Sequence, residues 1–339
     1  MGAAGNTSPV VSLRTASNTA RSLCAFGPIK RILRVTFMTV ADPTSKASIL
    51  IEALPYIKRF HHQYVVVKLS GHGIEDPHIL DQFLLDLVWL EQVGVRPILV
   101  HGGGSSINKA MQAAGLEPRF SGGRRVTDAA TMEVVQREVE RINTHLVNRL
   151  CDLGGAAIGL VPSRHRVVCA ERSDPALGLV GTPISIDRER VLRYASRGLI
   201  PVVPPLSIDK SDEILNTNAD DIALVVAKGM MAAKLVFCSN VPGVCRDPSD
   251  PTTRISSLTP DEVRSLVEQN VIQGGMIPKL ESCLAALSFG VGKIHIIDAA
   301  VPHSLLLEIF TREGVGTELV SQRVASGSSL GKDTSHEQQ

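Results

Sequence analysis

Arg96-Pro97-Ile98-Leu99-Val100-His101-Gly102-Gly103-Gly104-Ser105-Ser106-Ile107-Asn108 is the stretch on which the fold turns. An apolar run of β type ends in three consecutive glycines and then passes into a helix-compatible segment. A buried strand that feeds a glycine turn at a helix N-terminus is the repeating unit of a parallel α/β sheet. Glycines at that point let backbone N–H groups face a cavity, and the helix dipole favours an anion there. No Gly-Lys-Ser/Thr follows, so the turn is not a Walker A loop, and its spacing is not the dinucleotide GxGxxG pattern.

The same alternation extends on both sides. Apolar, β-branched runs predict strands at Tyr64–Lys68, Ala156–Leu160, Val167–Ala170, Ile200–Val203, Lys234–Cys238 and Lys293–Ile297. Helical spacing of apolar residues covers 45–60, 78–93, 105–115, 128–150, 187–197, 219–229, 260–269, 276–289 and 303–312, with Asp128 as N-cap of the longest. Pro55 is expected to kink or interrupt the first of these. Together they predict an α/β fold, a three-layer αβα sandwich on a mainly parallel central sheet, with ligands beyond the carboxyl ends of the strands.

Composition narrows the function. The chain has 339 residues, 44% of them hydrophobic, and a formal net charge of +1. A near-neutral chain has no electrostatic reason to seek nucleic acid or a membrane surface. No apolar run is long enough to span a bilayer. The six cysteines are scattered without a CxxC, which favours a reducing, cytoplasmic compartment. Residues 1–41 hold no Asp or Glu but carry Arg14, Arg21, Lys30, Arg31 and Arg34. That composition fits an organellar transit peptide, a disordered bacterial extension, or an upstream start with Met38 as initiator. The expected organisation is a disordered extension (1–44), a helix (45–60), an N-terminal lobe (61–225), a C-terminal lobe (226–325) and a disordered tail (326–339).

Further pieces suited to anions lie far apart in the chain. Lys68 ends the strand Val65-Val66-Val67, just before Gly71. Gly123-Arg124-Arg125-Val126 precedes the long helix, where an arginine can clamp a carboxylate bidentately. Asn216-Thr217-Asn218-Ala219-Asp220-Asp221 opens another helix, as caps or as ligands to a polar molecule. Gly274-Gly275-Met276-Ile277-Pro278-Lys279 offers glycines and a lysine that suit phosphate. Two lysines, a glycine cradle, an arginine and a central aspartate suit phosphoryl transfer, where positioning and charge neutralisation do most of the chemistry.

In order and spacing, the motifs VVVKLSG (65–71), VHGGG (100–104), GRRVTD (123–128), NTNADD (216–221), NVPGV (240–244) and GGMIPKL (274–280) resemble the acetylglutamate kinase branch of the amino acid kinase family, over about 45–322. The resemblance implies the amino acid kinase fold and phosphorylation of the γ-carboxylate of N-acetyl-L-glutamate by ATP, whose Mg2+ travels with the nucleotide. By position, Lys68 and Lys279 would neutralise the phosphoryl oxygens and Asp220 would hold the two lysines. Gly71 and Gly104 would donate backbone N–H bonds. Gly103, Gly104, Arg125 and Asn216 would hold acetylglutamate, with Arg125 chosen over Arg124 for its place before Val126-Thr127. Lys68, Gly71, Ser239, Gly243, Gly274, Met276 and Lys279 would hold the nucleotide. The helix at 45–60 resembles that of the hexameric, arginine-inhibited branch, where it interlaces dimers, so a homodimer or a hexamer is expected. His295, Glu308 and Gly314 are the corresponding candidates for contacts to an L-arginine effector, with Glu308 pairing with its guanidinium group.

The chain departs from the family at Ser70, where a glycine is usual, and in Leu160-Val161-Pro162-Ser163-Arg164-His165. The second departure is expected to alter the substrate-side pocket. It keeps open a kinase for a related carboxylate, such as a carrier-protein-linked aminoadipate or glutamate. A catalytically weak arginine-sensing protein is the other alternative, opposed by Lys68, Asp220 and Lys279 standing together. The stretch after 322 is too short for an acetyltransferase domain, so an acetylglutamate synthase is not expected.

Overall fold

The structure is a computed structural model that describes residues 43–273, 276–311 and 314–322. Residues 1–42 of the expected N-terminal extension, the tail and Gly274 lie outside the described residues, and Pro43 and Thr44 belong to the first helix. The chain opens with helix α1 (Pro43–Phe60), strand β1 (Tyr64–Leu69), α2 (Gly71–Glu75), α3 (Pro77–Gln92), β2 (Arg96–His101) and α4 (Gly104–Ala113). It continues with β3 (Phe120–Ser121), β4 (Arg124–Arg125), α5 (Ala129–Asp152), β5 (Ala157–Gly159), α6 (Pro162–His165), β6 (Val168–Arg172) and β7 (Val180–Ile186). Then come α7 (Arg188–Ala195), β8 (Ile200–Val203), β9 (Leu206–Ile208), β10 (Ile214–Thr217), α8 (Ala219–Met230) and β11 (Lys234–Ser239). The last elements are β12 (Ser257–Leu258), α9 (Pro260–Glu268), α10 (Met276–Ser288), β13 (Lys293–Asp298), α11 (Ser304–Phe310) and β14 (Thr317–Leu319).

Eight strands form one sheet in the order β12-β14-β13-β11-β1-β2-β8-β5. Among the described residues of this sheet, only the β13–β14 pair is antiparallel. The period of two along each strand sorts side chains into two cores. Val66, Ile98, Val100, Leu235 and Phe237 pack with Ile222 and Val226 of α8 and Leu280 and Cys283 of α10. Val65, Val67, Leu99 and Val236 pack with Leu84 of α3, Leu146 of α5 and Leu305 of α11. This is the three-layer sandwich expected from the sequence. The same parity puts Lys68 on the face of Val66, under α8, at the carboxyl end of β1.

Two findings differ from the sequence reading. Helix α1 runs unbroken past Pro55. The carbonyl of Ile51, which Pro55 leaves without a donor, belongs to a residue 68% exposed, so water can satisfy it. In addition, β6, β7, β9 and β10 close into a small barrel that no sequence signal announced. A two-residue loop, Gly122-Gly123, joins β3 to β4, and both glycines have positive φ, at 55° and 74°. Side chains are strained there, and the Gly-Gly pair is the signal by which this hairpin is legible.

Candidate active site

Three chain segments bring the reactive groups together. Asn218 caps α8 by accepting from the N–H of Asp220 at 2.7 Å and of Asp221 at 3.4 Å. That fixes Asp220 in the first helical turn, where the macrodipole favours a carboxylate. Lys68 Nζ lies 2.6 Å from Asp220 Oδ1, and Lys279 Nζ lies 3.5 Å from Asp220 Oδ2. One carboxylate therefore sits between two ammonium groups carried by β1 and α10. Burial opposes ionisation of Asp220, but the two lysines outweigh it and hold the carboxyl below its ordinary range. Lys279 also lies 5.1 Å from the centre of the Phe237 ring.

Asp220 forms part of the wall of a 280 Å³ cavity that Lys68, Gly71, Gly103, Gly104, Arg125 and Asn216 also line. Gly71 and Gly104 are the first residues of α2 and α4, so their N–H groups have no acceptor within their helices. A Cβ built on Gly71 would lie 3.7 Å from the Gly104 nitrogen and 3.9 Å from that of Gly103. The two turns thus face each other closely.

Arg125 is 7% exposed. Its Nη2 donates to Asn108 Oδ1 at 2.7 Å and to the Gly104 carbonyl at 3.3 Å, and the guanidinium carbon lies 4.8 Å from the centre of the Phe120 ring. Among the described residues no carboxylate pairs with it. A buried guanidinium without a counter-charge, lining a cavity, leaves a positive charge that an anion entering the cavity would compensate. Asn216 Nδ2 donates to Thr127 Oγ1 at 3.0 Å, which ties β10 to the turn after β4.

Arg124, passed over on sequence grounds, lines the same cavity. Its Nη1 donates to Ser173 Oγ and Thr182 Oγ1, each at 2.9 Å, and its Nη2 lies 3.5 Å from Asp221 Oδ2. It thereby joins the hairpin, the small barrel and α8. These contacts, with those of Asn108, Phe120 and Thr127, escaped sequence reasoning because each is a long-range meeting of isolated polar residues. The departure at 160–166 lies elsewhere: none of those residues lines the cavity. Arg166 pairs with Asp212 at 2.7 Å on the surface, and His165 stacks edge-on against Tyr194. The expected alteration by this segment is therefore not found in the lining of this cavity.

A second cavity, of 640 Å³, opens between the 241–248 loop and residues 270–273 with Met276, and Gly243 lines it as well. Gly243 has φ 134°, and a Cβ there would overlap Thr317 Oγ1. Ser239 ends β11, with its Oγ 3.5 Å from the Ile297 carbonyl. Met276 and Lys279 stand one turn apart on α10, so this helix links the second cavity to the Asp220 carboxylate.

A third cavity, of 740 Å³, lies at the opposite end of the sheet among α1, β11, β13 and α11, and His295, Glu308 and Gly314 line it. His295 Nδ1 lies 2.6 Å from Glu308 Oε1. Glu308 Oε2 accepts from the N–H groups of Val315 and Gly316 at 2.7 and 2.9 Å. Burial works against ionisation of Glu308, but the His295 hydrogen bond and the two backbone donors bring its carboxyl down to about 2. Lys234 lines the same cavity, and burial lowers its ammonium to about 8.

With this geometry in place, comparison with known proteins gives the class. The profile of the amino acid kinase family matches residues 63–298, and the chain belongs to that family. Within it, the chain is 43% identical over 285 residues to the acetylglutamate kinase of Methanothermobacter thermautotrophicus, covering 80% of this chain and 97% of that one. It is 39% identical over 284 residues to the acetylglutamate kinase of Desulforamulus reducens, covering 83% and 99%. Among solved structures, N-acetylglutamate synthase from Neisseria gonorrhoeae, complexed with coenzyme A and N-acetyl-glutamate, superposes with a TM-score of 0.72 at 25% identity. The match covers 82% of this chain and 64% of that synthase, so the chain spans just under two thirds of its length. Carbamate kinase from Giardia lamblia shares the fold at 13% identity and a TM-score of 0.54, with 77% and 99% covered.

Proposed function

We propose that the chain is an ATP-dependent acetylglutamate kinase that phosphorylates the γ-carboxylate of N-acetyl-L-glutamate to an acyl phosphate, in arginine biosynthesis. The observation that carries this reading is the Lys68–Asp220–Lys279 triad beside an unpaired, buried Arg125. The acceptor carboxylate is already ionised at neutral pH, so the reaction needs no general base. It needs compensation for charge on the transferring phosphoryl group.

Lys68 and Lys279 supply that charge, and Asp220 keeps both ammonium groups in place. The N–H groups of Gly71 and Gly104 donate to phosphoryl oxygens. Arg125 and Asn216 hold acetylglutamate beside Gly103. Ser239, Gly243 and Met276 belong to the nucleotide side, in a C-terminal lobe that begins near residue 226. Mg2+ enters with ATP.

The 740 Å³ cavity supports an L-arginine effector site. Glu308 offers a carboxylate held ionised, though His295 and two backbone N–H groups already share it. Ile49, Leu50, Ile51 and Leu54 of α1 are all more than 40% exposed, which supports self-association through this helix into a homodimer or hexamer. Purified protein with ATP and N-acetyl-L-glutamate, quenched in hydroxylamine, tests the reading. Trapped hydroxamate is expected, with less of it when L-arginine is present. ATP binding without hydroxamate refutes the kinase assignment.

A further inference from the structure

His101, the last residue of β2, has no exposed surface. Its Nδ1 lies 2.8 Å from the carbonyl oxygen of Gly102, and its Nε2 lies 3.2 Å from Asn143 Nδ2. Asn143 Nδ2 donates as well to the Val202 carbonyl at 3.0 Å. A carbonyl oxygen can only accept, so these contacts fix the protons along the chain. The Asn143 amide nitrogen faces Val202 and His101, Nε2 of His101 accepts, and Nδ1 carries the hydrogen. Burial, only partly opposed by the Gly102 carbonyl, lowers the His101 ring to about 4, so it is neutral under assay conditions. Gly159 makes the arrangement sterically feasible, because a Cβ there would overlap Asn143 Oδ1.

The consequence lies in the next peptide. The Gly102–Gly103 bond is trans, and the C=O and N–H of a trans peptide point in opposite directions. With the Gly102 carbonyl drawn to His101, the Gly103 N–H is turned the other way. Its nitrogen lies 3.9 Å from a Cβ built on Gly71, with that of Gly104 at 3.7 Å, and all three glycines line the same cavity. A flipped peptide would instead present a carbonyl lone pair to the reacting anions. Glycine at both positions makes such a flip sterically easy.

We infer that His101, oriented by Asn143, is a positioning residue that sets the Gly102–Gly103 peptide so that the Gly103 N–H faces the carboxylate and phosphoryl oxygens during transfer. This rests on the phosphoryl-transfer reading above. Its effect belongs to the transition state, so it shows in kcat more than in KM.

The test compares His101→Asn with His101→Gln, because an Asn amide nitrogen can stand near Nδ1 and a Gln amide nitrogen near Nε2. In the hydroxamate assay His101→Asn is expected within about fivefold of wild-type kcat, and His101→Gln about a hundredfold down, as for loss of one oxyanion donor. KM for ATP and acetylglutamate should move by less than about threefold in both. A role in filling the core gives the reverse order, since Gln is nearer to His in volume. Gln at least as active as Asn overturns the inference. Long-range proton–nitrogen NMR on the wild-type protein requires no variant to fold: an Nδ1-protonated His101 is expected, and an Nε2-protonated ring overturns the inference. A wild-type protein without turnover overturns the phosphoryl-transfer reading itself, and the inference with it.

Discussion

Replacing Asp220 with asparagine tests the central geometry. The carboxylate contacts Lys68 at 2.6 Å and Lys279 at 3.5 Å, through different oxygens. The amide would keep the shape and remove the charge, leaving two ammonium groups facing each other. At a separation of roughly 6 Å and an effective dielectric constant of about 20, their repulsion is about 3 kcal/mol. In wild type the shared carboxylate offsets it. If the lysines splay apart by that amount of lost preorganisation, kcat falls by about a hundredfold. KM for acetylglutamate should stay within about threefold, because Arg125 and Asn216 are untouched. Initial rates of hydroxamate formation at saturating ATP, with urea unfolding to confirm the fold, give the answer. A kcat for Asp220→Asn within about threefold of wild type would refute the view that one carboxylate sets the spacing of the two lysines.

Arg125→Lys should raise KM for acetylglutamate by about tenfold or more and leave kcat nearly unchanged, since an ammonium cannot reproduce a bidentate clamp; an unchanged KM removes Arg125 from the substrate site. Gly243→Ala should lower the urea midpoint, because the new Cβ meets Thr317 and the backbone is at φ 134°. That strain is worth roughly 1–3 kcal/mol. Asp86 is 1% exposed, and burial raises its carboxyl to about 6 despite a 2.6 Å contact to His303. The folded state then binds the proton more tightly than the unfolded chain. Asp86 therefore favours folding below about pH 4, and that contribution fades as pH rises to 6, by at most about 3 kcal/mol. Asp86→Asn should flatten this part of the stability profile, and an unchanged slope would show that Asp86 is not its source. Glu308, held down to about 2, acts in the opposite sense in a lower window. Its stabilisation is present above about 4.5 and is lost as pH falls toward 2, so Glu308→Gln should abolish that acid limb in urea titrations.

The alternating strands and helices were legible because each buries a full apolar face, and Lys68, Gly104 and Asp220 were legible because they fall where such elements end. Arg125 could be picked from its motif, but not its burial against Asn108 and Phe120, which depends on a hairpin between residues without apolar periodicity. The barrel of β6, β7, β9 and β10 was hidden for a related reason. Its strands run from three to seven residues and close on one another, so no strand carries a long alternation. Arg124 and Arg125 are neighbours in sequence with the same charge. What distinguishes their roles is the set of partners each finds, Asp221 with two hydroxyls against none of opposite charge, and that set exists only in the folded chain. The departure from the family pattern at 160–166 does not reach the cavity lined by Arg125, because Arg164 and Arg166 are exposed and His165 packs on Tyr194.

Strand β11 runs from one cavity to the lysine pair that flanks Asp220. Lys234, at its start, lines the cavity beside α1, and Phe237, near its end, lies under Lys279. Its six residues span about 17 Å. Held by β1 on one side and β13 on the other, it is a strut and cannot stretch. Phe237 on this strand pairs in register with Lys68 on β1, so the rigid ladder sets the height at which Lys279 stands above Lys68, and the spacing of the two ammonium groups is a property of the sheet as well as of Asp220.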